Sequence, residues 1–345
     1  MKRLFCDRRQ RHLSLVRDAD WLHRRSHVSW ACGVYYGDGF GEHVTRGYVP
    51  RLLLLAALWG SSYFFIKVGV EHVEPAVLMA GRALLAGIIL LAFVTATRGA
   101  ANATAELRAS WRQAAVLGAI NAALPFWLIA WGEKYIDSSV AGIAQATVPL
   151  FAFVIGLWFL PHEHVAPIRW IGVGLGLVGV GVLAGVDPAG GWWAVAGTVA
   201  VVLSSVSYAV AGIYAQLRVH AAPGPVLATG SMLAAGIILL PFAIAQRPDA
   251  VPGWQAFASV AALAVLGTAV AQIVFFRMLP VYGIRRISLV AYVMPGFAIA
   301  FGALFLSEPV TWPMVVGLAL ILAGVALGSG LLLAMRRGAA REEPA

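Results

Sequence analysis

Between Leu52 and Ala334 ten apolar stretches follow one another, and they fall into two similar sets of five. A helix that crosses a bilayer needs roughly 20 mainly apolar residues. Hydrocarbon offers a backbone amide no water, so each stretch must satisfy its own amides as a helix. Five is an odd number, and the second set must therefore enter the membrane in the opposite sense to the first. The expected fold is an all-α integral membrane protein of ten transmembrane helices, built as two inverted five-helix repeats.

Composition excludes an ordinary soluble domain. Of 345 residues, 60% are hydrophobic and 12% charged, against roughly 25% charged in soluble proteins. The net charge of +9 would suit nucleic acid if it lay along one face. Lys and Arg sit instead in short connections and at the ends, so no nucleic-acid partner is expected. Cys6 and Cys32 both precede the first stretch, which leaves the membrane domain without a disulfide or a thiolate metal site. No cofactor is implied. Residues 1–50 carry nine Lys and Arg but lack the continuous apolar core of a signal peptide. They are expected to be a basic leader that is either disordered or not translated, with Val44 or Val49 as alternative starts.

The spans are expected at 52–70, 76–97, 111–131, 138–160, 168–186, 192–217, 225–245, 254–279, 286–306 and 312–334. Glu74-Pro75, Asp187-Pro188, Pro223-Gly224 and Glu308-Pro309 punctuate the reversals between them. The repeats then cover 51–186 and 192–334, with a cytoplasmic tail at 335–345. Positive loops stay cytoplasmic. With both termini inside, the inner segments hold twenty Lys and Arg and the outer loops only Lys134 and Arg247. Without the leader and Arg51 the balance is still ten against two. The expected location is the cytoplasmic membrane, multi-pass, with both termini cytoplasmic.

The duplication shows in register as well as in number. With Pro149 set on Pro295, residues 144–149 align with 290–295, and Gly172 and Gly179 then fall near Gly317 and Gly324. Ser62-Tyr63 in span one matches Ser207-Tyr208 in span six. Inverted repeats enclose a midplane site that opens first to one side and then to the other. Trp59-Gly60 with its serine-rich turn, Lys67, Arg82, Glu163, Glu308 and the glycine-rich fifth and tenth spans resemble the EamA family of the drug/metabolite transporter superfamily. The likeness runs over both repeats, although Ser204-Ser205 replaces the Trp-Gly pair in the second. It implies a permease with a central cavity lined by spans one, three, four, six, eight and nine.

Polar or aromatic residues inside these spans are the candidate substrate-binding groups. They are Trp59, Ser62 and Tyr63 in span one, Arg82 in span two, Asn121 in span three, Gln145 in span four, Ser204 and Tyr208 in span six, Thr268 and Gln272 in span eight, and Tyr292 in span nine. Ser204 with Tyr208, and Thr268 with Gln272, are four apart and share a helix face. A cation at the depth of Arg82 costs about 2.5–3.5 kcal/mol. It either meets a solute carboxylate or phosphate, which a guanidinium grips bidentately, or it is anchored by a carbonyl or by Glu71 or Glu74. Each uncharged polar residue likewise either touches the solute or bonds a neighbouring helix. Lys67 and Arg277, near span ends, are expected to snorkel toward headgroups. Pro149 and Pro295 each delete a backbone hydrogen bond and are candidate hinges, the alternative being static shaping of the bundle. The glycines of spans five and ten are expected to form packing seams, between the halves or in a homodimer.

An intramembrane enzyme would need a nucleophile with its base, a carboxylate pair or metal ligands, and the expected spans contain no Asp, His or Cys. His162-Glu163-His164 lies in a turn and lacks the His-Glu-x-x-His spacing. Neither catalysis nor a metal is expected. The expected function is a secondary transporter that exports a small organic metabolite, such as an amino acid or related carboxylate, by alternating access. The alternatives are a passive channel or a multidrug efflux carrier for apolar or cationic compounds, and cationic intramembrane groups disfavour a purely cationic drug. Glu133 is the candidate coupling group, or else it pairs with Lys134 or the headgroups. The expected partners are the solute, the lipid bilayer and a second copy of the chain.

Overall fold

The computed structural model describes residues 41–159, 167–185, 191–219 and 222–328. The leader up to residue 40, the cluster at His162-Glu163-His164 and the C-terminal tail lie outside the described residues. Tyr48–Ala345 forms one compact unit; of the preceding unit, Met1–Gly47, only the helical residues from Gly41 are described.

Every regular element among the described residues is helical. The first repeat comprises α1 (Gly41–Val70), α2 (Pro75–Arg98) and a short helix α3 (Ala100–Ala109). Next comes a rod of α4 (Trp111–Gly118), a π-helical segment (Ala119–Ala123) and α5 (Leu124–Gly132). A second composite rod of α6 (Ser138–Gln145) and α7 (Val148–Phe159) follows, and then α8 (Pro167–Gly185). The second repeat comprises α9 (Gly191–Arg218) and α10 (Gly224–Ala245), then α11 (Trp254–Ala264) with a second π segment (Val265–Val270) and α12 (Ala271–Ile287), and finally α13 (Val290–Phe305) and α14 (Trp312–Gly328). Eight of these rods are long and apolar enough to cross a membrane, and α13 and α14 are shorter apolar helices. The ten rods are the two five-helix repeats expected from the sequence.

Local chemistry accounts for the helix ends. Pro75 opens α2 at a position where its missing N–H costs nothing. Gly99 closes it at φ +82°, donating its N–H to Thr95 O at 3.0 Å. The alanine-rich run between spans two and three forms α3 because its helix propensity is high. Arg98 grips Glu106 on it through two bonds, Nε to Oε2 at 2.7 Å and Nη2 to Oε1 at 2.6 Å.

Large apolar side chains such as Ile88, Trp158, Trp170, Leu177 and Ile237 are exposed on the outside of the bundle, where hydrocarbon suits them. Inside, small residues let the two repeats meet backbone to backbone. A Cβ on Gly172 would stand 2.5 Å from Gly328 N and 2.6 Å from Gly324 O. Spans five and ten are thus the seam between the halves. Cβ atoms on Gly132 and Gly197 would each lie within 2.8 Å of the other residue's carbonyl, so α5 and α9 touch as closely. Gly60 seats α1 on Phe297 and Met294 of α13, and Gly87 seats α2 on Leu233 of α10. Each rod of one repeat leans on a rod of the other.

Span four keeps its expected extent, Ser138–Phe159, and residues 146–147 form a turn between its two helices α6 and α7. Pro149 has no N–H to offer the Gln145 carbonyl, and the Thr147 hydroxyl donates to Ala144 O at 2.7 Å beside the break. Pro295, its counterpart, lies inside an unbroken α13. Span eight continues past 279 to a kink at Gly283, whose φ of 71° is not helical; a short helical stretch follows the kink to Ile287, and span nine starts at Val290 rather than 286.

The seam makes a contrast testable. Gly324→Ala places a methyl 2.5 Å from Gly172 O and is expected to cost about 1–3 kcal/mol through overpacking. Gly174→Ala, with nothing within 4 Å, is expected to keep or slightly raise stability through helix propensity. Melting midpoints in detergent micelles check both.

Candidate functional site

Arg82 sits in the middle of α2 and is only 6% exposed. Its Nε donates to Thr268 Oγ1 on the second repeat at 3.0 Å, and its guanidinium carbon lies 3.9 Å from the centroid of the Phe126 ring. Thr268 in turn donates its hydroxyl proton to Leu263 O at 2.9 Å. A desolvated cation–π contact contributes about 2 kcal/mol or more. No carboxylate lies within salt-bridge distance of Arg82 among the described residues. The anchor is therefore a threonine and a phenyl ring rather than Glu71 or Glu74; Glu71 is exposed, and Glu74 pairs with Lys134 at 2.9 Å. Among the described residues the terminal nitrogens have one hydrogen-bond contact, Met79 Sδ at 4.0 Å from Nη1, too long for a strong bond.

Thr268 belongs to the second π segment and Asn121 to the first. The segments begin at Ala119 and Val265, the same offset that separates Pro149 from Pro295, so they are counterparts in the two repeats. A π register re-aims side chains and recurs at functional positions. In the first segment Pro125 withholds the N–H that the Asn121 carbonyl would receive, and Ser207 of α9 donates to Ile120 O at 2.6 Å. Neither segment was expected. Pro125 in mid-span was the only signal for the first, and the second has no proline at the matching place.

The remaining candidates divide into bonded and unbonded groups. Ser62 donates within its own helix to Leu58 O at 3.3 Å and rests on Gly267. Ser204 Oγ lies 2.8 Å from Gln145 Oε1 and 2.6 Å from Val201 O, its one proton serving one acceptor at a time, while Gln145 Nε2 is buried with no partner among the described residues. Trp59 is half-buried, 6.1 Å centroid to centroid from Phe275. Tyr292 packs half-buried against the core. The side chains of Asn121 and Gln272 are half-buried and make no hydrogen bond with described residues, and the same holds for the hydroxyls of buried Tyr63 and half-buried Tyr208. Tyr63 and Arg82 are within electrostatic reach of each other and of both Tyr208 and Glu133. The structure thus gathers Tyr63, Arg82, Tyr208 and Thr268 into one cluster, with Gln145 and Ser204 as a separate bonded pair.

The end of the bundle that carries turn 133–137 differs from expectation. Lys67 does not snorkel. Its ammonium donates to the carbonyls of Glu133 at 2.8 Å and Ile136 at 2.9 Å, groups left free by the end of α5, where the helix dipole favours a cation. Lys134 pairs with Glu74 and not with Glu133. Glu308 accepts from Ser138 N at 2.8 Å, Ser139 N at 3.0 Å and the Ser139 hydroxyl, capping α6 from the opposite repeat. Ser307, at φ +57°, makes this reach possible by letting Glu308 N–H return to Gly302 O at 3.1 Å. At the other end a cavity of about 270 Å³, lined by Glu106, Gln113 and Arg218 among others, contains none of the sequence candidates.

The sequence pattern of the EamA-like transporter family matches residues 49–185 and again residues 195–330. The chain belongs to this family. Relatives of this EamA-like chain include the uncharacterized inner membrane transporter YedA of Escherichia coli (strain K12), 29% identical over 255 residues, covering 73% of this chain and 80% of the relative. The uncharacterized transporter YvbV of Bacillus subtilis (strain 168) is 24% identical over 280 residues, covering 80% and 89%. A crystal structure aligns with a TM-score of 0.59 at 21% identity over 84% of this chain and 98% of the other, which establishes a shared fold and nothing more. As an EamA-like protein the chain is a membrane transporter, in contact with lipid and with a small-molecule solute.

Thr268→Val keeps the shape of the second π segment but strips Arg82 of its hydrogen-bond acceptor. Hydrogen bonds to charged groups are worth about 1.5–3 kcal/mol, so the melting midpoint of this variant is expected to fall clearly below that of wild type.

Proposed function

We propose that the chain is a permease that exports a small organic solute bearing a carboxylate, such as an amino acid, across the cytoplasmic membrane by alternating access between repeats at 51–186 and 192–334. The bias of Lys and Arg supports cytoplasmic termini, and that orientation puts turn 133–137 outside. One observation carries the substrate class. Arg82 is a buried cation fixed by its Nε and its ring face, with no carboxylate partner among the described residues. A guanidinium held in that way presents its terminal nitrogens as a fork that suits a planar anion. Tyr63, Asn121, Tyr208 and Gln272 supply further polar groups with unused hydrogen-bonding capacity around the same helices. An inverted pair of repeats makes two oppositely open states similar in shape, which is what alternating access requires.

Counterflow in proteoliposomes against amino acids, organic acids, nucleosides and cationic drugs tests this reading. Saturable exchange of a carboxylate-bearing class is expected. Arg82→Ala, still folded, is expected to lower the rate about 10–100-fold, the value of a lost charge-assisted contact of roughly 1.5–3 kcal/mol, with Arg82→Lys intermediate. Wild-type rates in folded Arg82→Ala would remove Arg82 from the site.

A further inference from the structure

Glu133 is fully buried, and both of its carboxyl oxygens lack any hydrogen-bond partner among the described residues. Other carboxylates at connections are served: Glu308 by two backbone amides and a hydroxyl, Glu74 by Lys134, Glu106 by Arg98. The groups facing Glu133 are Tyr63 and Lys67 from α1, Arg82 from α2 and Glu308 from the turn after α13, with Tyr208 of α9 next to Tyr63 and Arg82. Asp137, Lys134 and Glu74 share that end of the bundle, the last two paired with each other. Lys67, the nearest cation on α1, directs its ammonium at the main-chain carbonyls of the turn and not at the carboxyl group. An ionised carboxylate without donors is far costlier to bury than the neutral acid. The packing described here therefore accommodates Glu133 as the acid.

We infer that Glu133 is the proton-binding site of this carrier, protonated in the conformation described and ionised in the opposite-facing one, so that solute and proton cross together. The inference rests on the carrier reading above. On release the Oε–H bond breaks, the proton passes to water on the open side, and the electron pair stays on a carboxylate that Lys67 and Arg82 compensate. A solute carboxylate docked on Arg82 cancels one of those two cations. Solute binding thus favours the protonated form of Glu133, and the pair moves as the equivalent of a neutral acid. No larger ligand fits the observation, because a fully enclosed carboxyl group admits a proton and little else.

Two measurements test the inference independently. Infrared difference spectra of the purified protein in liposomes, recorded across pH in H2O and D2O, are expected to show the carbonyl stretch of a buried protonated carboxyl that titrates in wild type and in Glu133→Asp and is lost in Glu133→Gln. A spectrum unchanged by Glu133→Gln, with melting showing the variant folded, overturns the proton site whether or not any solute is transported. In vesicles loaded with a solute that wild type exchanges, efflux is expected to make the lumen more alkaline, read by a trapped pH dye, with the proton-to-solute ratio lost in Glu133→Gln. A wild-type efflux without a pH change, or an unchanged ratio in Glu133→Gln, overturns the coupling. If wild type exchanges no solute at all, the carrier reading fails and the infrared result alone decides the proton site.

Discussion

Backbone contact between the two repeats, at Gly172 with Gly324 and at Gly132 with Gly197, is the constraint on which the rest of the bundle depends. In lipid no hydrophobic force drives one apolar helix against another, so association rests on close van der Waals contact and on polar links. Small residues provide the first. Because spans five and ten pair across the halves, and spans one, two, three and four all pack on the second repeat, neither repeat buries its inner face alone. The polar interior is shared property of both.

The polar links follow a common rule. Each engages a group that regular helix leaves unused or has to give up. Glu308 takes the free amides at the start of α6, and Lys67 takes the free carbonyls at the end of α5. Ser207 takes a carbonyl in the first π segment, and Thr268 in the second holds Leu263 O while receiving Arg82. Interhelical bonds of this kind are worth about 0.6–2 kcal/mol each in membranes, small beside the cost of the unsatisfied groups they cover. Beside these links, the carboxyl of Glu133 and the terminal nitrogens of Arg82, with the Gln145 amide nitrogen, are left as capacity for something that enters.

The ten rods and their inversion were legible in the sequence because length and apolarity are local properties. The glycines of spans five and ten were legible as a seam, yet only the fold assigns that seam to the two halves. Arg82 was readable as a buried cation, but its partner Thr268 lies 186 residues away and is aimed by a π register that no local pattern announces. Lys67 was misread because a lysine near a span end has the signature of a snorkelling residue, and the carbonyls it meets belong to a turn distant in sequence. Glu133 and Lys134 are adjacent in the chain and still serve different neighbours, one enclosed and one paired with Glu74 at the surface. Sequence adjacency at a helix end does not say which side chain turns inward.

Sidedness of access to the interior tests the central claim most directly, that two inverted repeats enclose one polar site that each side of the membrane reaches in turn. Asn121 is half-buried in the first π segment and makes no hydrogen bond with described residues, so Asn121→Cys, with Cys6 and Cys32 replaced by Ser, is a suitable reporter. The account predicts that a membrane-impermeant maleimide labels this cysteine in right-side-out vesicles and in inverted vesicles alike, while both preparations stay sealed to small ions. Labelling from one side only, or from both sides in vesicles that leak ions, would contradict it.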